Sequence, residues 1–285
     1  MFTPAQMVLT PDGKKLHLSH GPIDIILQSF GLSNEVQKSY EQVIKFFPKI
    51  LPDLVAEIGD LRRPYSKGWQ PEGLVSRRMK EACYPYQGKF LTPMAAVAGA
   101  VADQVLEISL INRKLDKIYV NNGGDISFHL ERGHLLTAGI VGDISRSKIN
   151  GKCVFNFENP ARGIATSGWK GRSFSMGIAD AVTVLASNAA AADVAATLIA
   201  NAVFADHPAI KQEPAINQDI DSDLGERLIT VKVGKLDGNT IENALDSGQT
   251  VAEQMELAGH ITAAVLVLQD SFRVVGSPPI GLMSS

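Results

Sequence analysis

Cysteine is nearly absent. Cys83 and Cys153 are the only two, they lie far apart, and neither belongs to a C-x-x-C or Cys/His cluster. That excludes a thiolate metal site of the usual spacing and fits a reducing, cytoplasmic setting in which both thiols pack as small apolar groups. An excess of one charge is also missing: the formal net charge is −3 and no run of lysine or arginine occurs, so neither a nucleic acid nor a membrane surface is an expected partner. Uninterrupted apolar runs are short. The two longest stretches, 93–111 and 181–205, are broken by Asp103 and Glu107 and by Asp193, which argues against membrane insertion. The opening MFTPAQMVLTPDG has neither the basic start nor the apolar core of a secretory signal. No Walker A lysine loop is present and no G-x-G-x-x-G follows a strand, which excludes the ordinary mononucleotide and Rossmann signatures.

What is there suffices for a sizeable core: 285 residues, 45% hydrophobic and 20% charged, as in an ordinary soluble globular chain. Lys15 to Ser29 alternates around Gly21-Pro22 and predicts a β-hairpin. Ser33 or Asn34, followed by Val36, Tyr40, Val43, Ile44 and Phe47, predicts a helix, divided by Pro48 and Pro52 and continuing to Ile58. Asp60 to Gly73 reads as a loop whose Arg62 and Arg63, beside Trp69, suit either a nucleotide phosphate or plain solvent. Leu74 to Tyr84 is helical, and Thr92-Pro93 opens a helix of small residues, MAAVAGAVADQVLEISLI. Strands are expected over 118–120, 134–141, 153–157, 181–186 and 228–233. A polar loop should follow Ala205 as far as Asp223, then a helix over 240–258 and a closing hairpin over 261–268 and 272–275. The sum is one α+β domain over 1–285, its helices packed on mostly antiparallel strands.

Chemistry concentrates in Ala161 to Ala205, read as strand, tight loop, strand, helix. Ser187 or Asn188 is the natural N-cap of the alanine-rich helix. Four residues separate Asp193 from Thr197 on it, so carboxylate and hydroxyl share one face, flanked by alanines too small to hold a ligand away. Such an oxygen pair suits Mg²⁺ or Ca²⁺. Equally, Asp193 could simply favour the helix dipole while Thr197 bonds back to a carbonyl.

Two turns could join this pair. Asn121-Asn122-Gly123-Gly124-Asp125-Ile126 follows a strand, and its paired glycines can present bare N–H groups to a phosphate or form a hairpin turn. Asp125 could orient a hydroxyl or a metal-bound water. Thr166-Ser167-Gly168 is a polar corner that can offer hydroxyl and N–H groups to an anion or serve as a plain loop.

Taken in order, PMAAVAGAVA, VNNGGDI, GIATSG, DAVTVLA and AADVAATLIA resemble the ApbE superfamily, whose characterised members are FAD:protein FMN transferases. The chain is most similar to its shorter ApbE-like branch, including a GERLITV segment at 225–231. The resemblance is clear over about 91–205 and looser in the flanks. It implies the ApbE fold and FAD as substrate or ligand. It also implies a divalent cation held by Asp193, Thr197 and the Ala98 carbonyl, and flavin contacts from Asn121, Asn122, Gly123, Gly124, Thr166, Ser167 and Gly168. The implied reaction moves FMN from FAD to a threonine or serine of a target protein, with Asp125 or Asp180 as base. In the transferases a histidine in an H-x-x-D-P-x-x-G segment follows the TSG turn; here Ser173-Phe174-Ser175-Met176-Gly177-Ile178-Ala179-Asp180 fills that place. The family lysine of an early A-K-G motif falls on Gly99. Two readings follow: a metal-dependent flavin-nucleotide enzyme that transfers FMN or hydrolyses FAD, or, given these departures, a flavin- or nucleotide-binding protein that has lost the transfer reaction.

Overall fold

Alternation builds the first sheet. Behind a short strand, Gln6–Leu9 (β1), every second side chain of Leu16–His20 (β2) and Ile23–Phe30 (β3) is buried, including Leu16, Leu18, Ile25 and Leu27, as a strand with one buried face requires. The computed structural model describes residues 3–143 and 148–281. It pairs β2 with β3 antiparallel, Leu16 opposite Leu27, on either side of Gly21-Pro22.

Helix Ser33–Phe46 (α1) ends where Pro48 enters a 3₁₀ turn, and Ile50–Ala56 (α2) carries Pro52 as its third residue, where an N–H has no helical acceptor to lose. Ile58–Leu61 (α3) and Leu74–Cys83 (α4) follow. Pro93–Ala96 forms a 3₁₀ turn leading into Val97–Leu110 (α5), then strands Lys117–Asn122 (β4) and Asp125–Leu130 (β5). β1 to β5 pair antiparallel in chain order, and α5 packs on β4, β5, α1 and α4. Among the described residues, Pro93–Leu110 is one helical stretch long and apolar enough to cross a membrane by length and composition; here it is a core element carrying buried Asp103 and Gln104. The Arg62–Trp69 loop is a surface loop, with Arg62 and Arg63 exposed and Arg63 paired to Asp60 at 2.9 Å.

The remaining elements are Leu136–Asp143 (β6), Lys148–Phe155 (β7), Gly163–Ser167 (β8), Ala181–Ala186 (β9), Ala189–Ala202 (α6), Ile210–Pro214 (β10), Leu228–Val233 (β11), Gly238–Leu257 (α7), Ala263–Leu268 (β12), Ser271–Gly276 (β13) and Ile280–Gly281 (β14). By chain contacts two compact units emerge: residues 1–136, 155–164 and 188–191 in the first, and 137–154, 165–187 and 192–285 in the second. In the second unit the strand order runs from the end of β8 through β9 and β12 to β13, β12 pairs antiparallel with both neighbours, and α7 packs on β12 and β13. All six residues of β9 are buried, which is why its sequence reads as a continuous apolar run rather than an alternation. Asp237 caps α7 by accepting from the Thr240 N–H at 3.0 Å. β14, β7 and β6 form a separate sheet.

One expected loop holds a strand. β10 lies inside the polar stretch after Ala205 and pairs antiparallel with β11 through a bulge between Lys211 and Gln212. Its side chains are half-buried at best, so the hydrophobic pattern gave no signal. Cys83 and Cys153 are both buried and unbridged, and burial pushes the Cys153 thiol up to about 11.

Candidate functional site

The NNGGDI stretch is a hairpin turn. Asn122 stands opposite Asp125 at the end of the β4–β5 ladder, leaving Gly123 and Gly124 as a two-residue loop with φ of 64° and 117°. Positive φ at both central positions matches the right-handed twist of the flanking strands and is what glycine permits. Both glycine N–H groups already have acceptors: Gly123 donates to the Asp24 carbonyl at 3.2 Å and Gly124 to Asn121 Oδ1 at 2.9 Å. Beyond Gly124 the space is open, with nothing within 4 Å of where a Cβ would stand. Asn122 is buried and donates from Nδ2 to the Ala98 carbonyl at 3.0 Å, and Asp125 is buried beside it in register. The first unit therefore brings together Ala98, Asn121, Asn122, Gly123, Gly124 and Asp125.

In the second unit Thr166 on β8 shares a hydrogen bond of 2.9 Å with Thr183 on β9. Gly168 ends β8 at φ 155°, where a Cβ would stand 2.6 Å from the Asp180 carbonyl oxygen. Ser167 is buried. The Asp180 carboxylate, 6% exposed, is fully engaged: Oδ1 accepts from Trp169 Nε1 and pairs with Lys170 Nζ, both at 3.0 Å, and Oδ2 accepts from the Gln269 N–H at 2.7 Å. This network ties the loop after the TSG corner to the β12–β13 turn. A carboxylate so held anchors a loop more readily than it accepts a substrate proton. Asp193 and Thr197 lie half-buried, four residues apart on α6. Among the described residues no three His, Cys, Asp or Glu side chains gather as a metal cluster; the expected donor set, with one carboxylate, is of another type.

The start of α6 holds the feature that the sequence did not announce. Asn188 is its N-cap, its Oδ1 accepting from the Ala191 N–H at 2.8 Å. The other two first-turn donors, Ala189 and Ala190 N–H, go to the Asp103 carboxylate of α5 at 3.0 and 2.8 Å. Ser127 of β5 donates to the same carboxylate at 2.5 Å. Burial pushes Asp103 above the usual carboxylate range, and these hydrogen bonds offset that only in part. Close backbone approach makes the arrangement fit. A Cβ on Gly99 would stand 2.3 Å from the Ala189 oxygen, and one on Gly163 2.0 Å from the Asn188 carbonyl carbon. No lysine can sit at position 99 on this backbone. The one available signal was an aspartate in a mostly apolar helix. A groove of about 910 Å³ in the first unit, lined by residues such as Lys14, Phe30 and Tyr40, includes none of the candidate site residues.

Comparison with known proteins identifies the family and the fold. The chain is 32% identical over 160 residues to a UPF0280 protein of Methanopyrus kandleri, covering 55% of this chain and 62% of the relative. It is 40% identical over 114 residues to a UPF0280 protein of Methanobrevibacter smithii, covering 38% and 45%. Each match thus spans less than two thirds of the curated relative. Among solved structures it is similar to the ApbE protein of Thermotoga maritima, with TM-score 0.51, 12% identity and 97% of both chains covered. It is similar also to the flavin transferase ApbE of Vibrio cholerae, with TM-score 0.50, 13% identity and coverage of 96% and 98%. These likenesses identify the α+β fold as ApbE-like. A family model described as "AbpE bacteria" matches residues 7–274, and the chain belongs to that family.

Proposed function

We propose that this chain takes FAD as substrate and passes its FMN moiety to a threonine or serine hydroxyl of a target protein, or to water. The observation that carries the reading is the half-buried Asp193 and Thr197 pair, one turn apart on a mostly apolar α6. The fold neighbour from Vibrio cholerae, described as a flavin transferase, supports the choice of substrate.

The donors fit a hard cation. Asp193 carboxylate and Thr197 hydroxyl are both oxygens, as Mg²⁺ or Ca²⁺ prefers, while the Ala98 carbonyl, inside α5, already accepts from Asn122 Nδ2 at 3.0 Å. When bound, the ion supplies neutralising charge to the pyrophosphate and the departing AMP. The hydroxyl oxygen of the target forms a new P–O bond to the FMN phosphorus. The P–O bond to AMP breaks, its electron pair leaves with AMP, and the hydroxyl proton passes to Asp125. Asp180 holds the Gly168–Gly177 loop rather than the proton, and the open tip at Gly124 and the Thr166-Ser167-Gly168 corner contact the flavin nucleotide.

A second reading is a flavin binder without turnover. It is favoured by the filled space at Gly99 and by a 173–180 segment with no histidine, whose aspartate is already occupied. Incubation with FAD and Mg²⁺, with and without a candidate target protein, separates the two. Release of AMP that Asp193→Ala lowers by roughly a hundredfold or more is expected for a transferase or hydrolase. Stabilisation by FAD without AMP release assigns the binder. Absence of both AMP release and stabilisation by FAD would overturn the flavin reading.

A further inference from the structure

We propose that Asp103 is a positioning residue: ionised, it holds the first turn of α6 and thereby sets where Asp193 and Thr197 stand. The proposal rests on the reading of that pair as cation ligands.

A helix start needs acceptors for its first N–H groups, and a single N-cap side chain ordinarily serves one of them. Here Asn188 already does so, from exposed chain. The remaining two donors are met from another helix, one by each oxygen of Asp103. An asparagine of the same shape has only one acceptor oxygen; its NH₂ would face the second N–H, donor against donor. The geometry therefore calls for a carboxylate.

The surroundings leave that turn no alternative place. α5 meets it at Gly99, β8 at Gly163, and β5 reaches the carboxylate through Ser127. Two elements thus meet the turn by close backbone approach, and the third reaches it through the buried Ser127–Asp103 hydrogen bond. Asp193 lies three residues beyond Ala190, so a tilt of the first turn displaces the ligand pair directly. Ligand geometry tolerates little of this, since a misplacement of about 1 Å can cost a hundredfold in rate. A buried carboxylate also burdens folding, as the upward push on Asp103 shows.

The test uses full-length chain, Asp103→Asn and Ser127→Ala, with Mg²⁺ alone as probe. Asp103→Asn should weaken Mg²⁺ binding by about tenfold or more in calorimetric titration, the scale set by outer groups that orient metal ligands. Amide hydrogen exchange should accelerate at Ala189–Ala191 and stay unchanged in α7. Ser127→Ala leaves both N–H acceptors in place and removes one donor to Asp103, so exchange at Ala189 should rise by only a few-fold; it keeps the proposal testable should Asp103→Asn not fold. A merely architectural Asp103 would lower the melting temperature and leave Mg²⁺ affinity untouched. Unaltered Mg²⁺ affinity in folded Asp103→Asn, or unaltered exchange at Ala189–Ala191 in both variants, overturns the proposal. Failure of the wild-type chain to bind Mg²⁺ would overturn the cation reading and with it the purpose given to Asp103, while the exchange data still decide whether its carboxylate holds α6.

Discussion

At the scale of single residues, Asp103 carries a pH signature. Its folded pKa is raised, with burial the largest cause and the bonds from Ser127, Ala190 and Ala189 opposing it. The folded chain therefore binds this proton more tightly than the unfolded chain does. The stabilisation belongs to the protonated form. It is complete below the ordinary aspartate value near about 3.9 and is lost as pH rises through the raised folded value, each tenfold difference in proton affinity being worth about 1.4 kcal/mol. Asp103→Asn removes this titration. Urea unfolding of both proteins from pH 4 to pH 7 should show wild type losing stability relative to the variant as pH increases, whatever constant offset the lost N–H acceptor adds. A difference that is flat with pH, or that grows in favour of wild type, would place the proton elsewhere. The local sequence showed an aspartate interrupting a mostly apolar stretch but not what it binds. Its partners lie 24, 86 and 87 positions away, and no periodicity relates groups that far apart.

For whole elements, legibility followed burial pattern. β2, β3, β9, α6 and α7 were readable because one face or the whole element is apolar, and Asn188 was readable as a cap because capping is local. β1 and β10 were not, since their side chains are mostly exposed or half-buried. For Gly123-Gly124 the residues allowed two readings, and the cross-strand pairing of Asn122 with Asp125 decided for the hairpin. Glycines that join elements should therefore behave differently from the glycine that ends a turn. Gly99→Ala and Gly163→Ala each drive a Cβ into the α6 start, and either should cost about 1–3 kcal/mol or more, the scale of overpacking a closed core. Gly124→Ala meets only open space and a strained φ of 117°, so about 1 kcal/mol is expected. Chemical denaturation of the three variants checks the order. A Gly99→Ala protein as stable as wild type would show that α5 and α6 can separate there freely.

At the scale of the whole molecule the residues of interest are shared between two compact units: Ala98 and the Asn121–Asp125 turn in one, Thr166–Gly168, Asp180, Asp193 and Thr197 in the other. The family match at 7–274 runs through both, so a function of the family is a function of the whole chain and must be measured on it. If Asp193 and Thr197 hold a cation that also meets the pyrophosphate of FAD, then cation and FAD must raise each other's affinity, because such coupling is reciprocal. A ligand at a hundred times its Kd adds about 2.7 kcal/mol to stability, which for a chain of this size shifts Tm by several degrees. FAD and Mg²⁺ together should then raise Tm by more than the sum of their separate shifts. Asp193→Ala should abolish the excess while leaving the shift from FAD alone. Strictly additive shifts in the wild-type chain would mean that the two ligands bind without sensing each other, and the cation would have no part in activating the phosphoryl group.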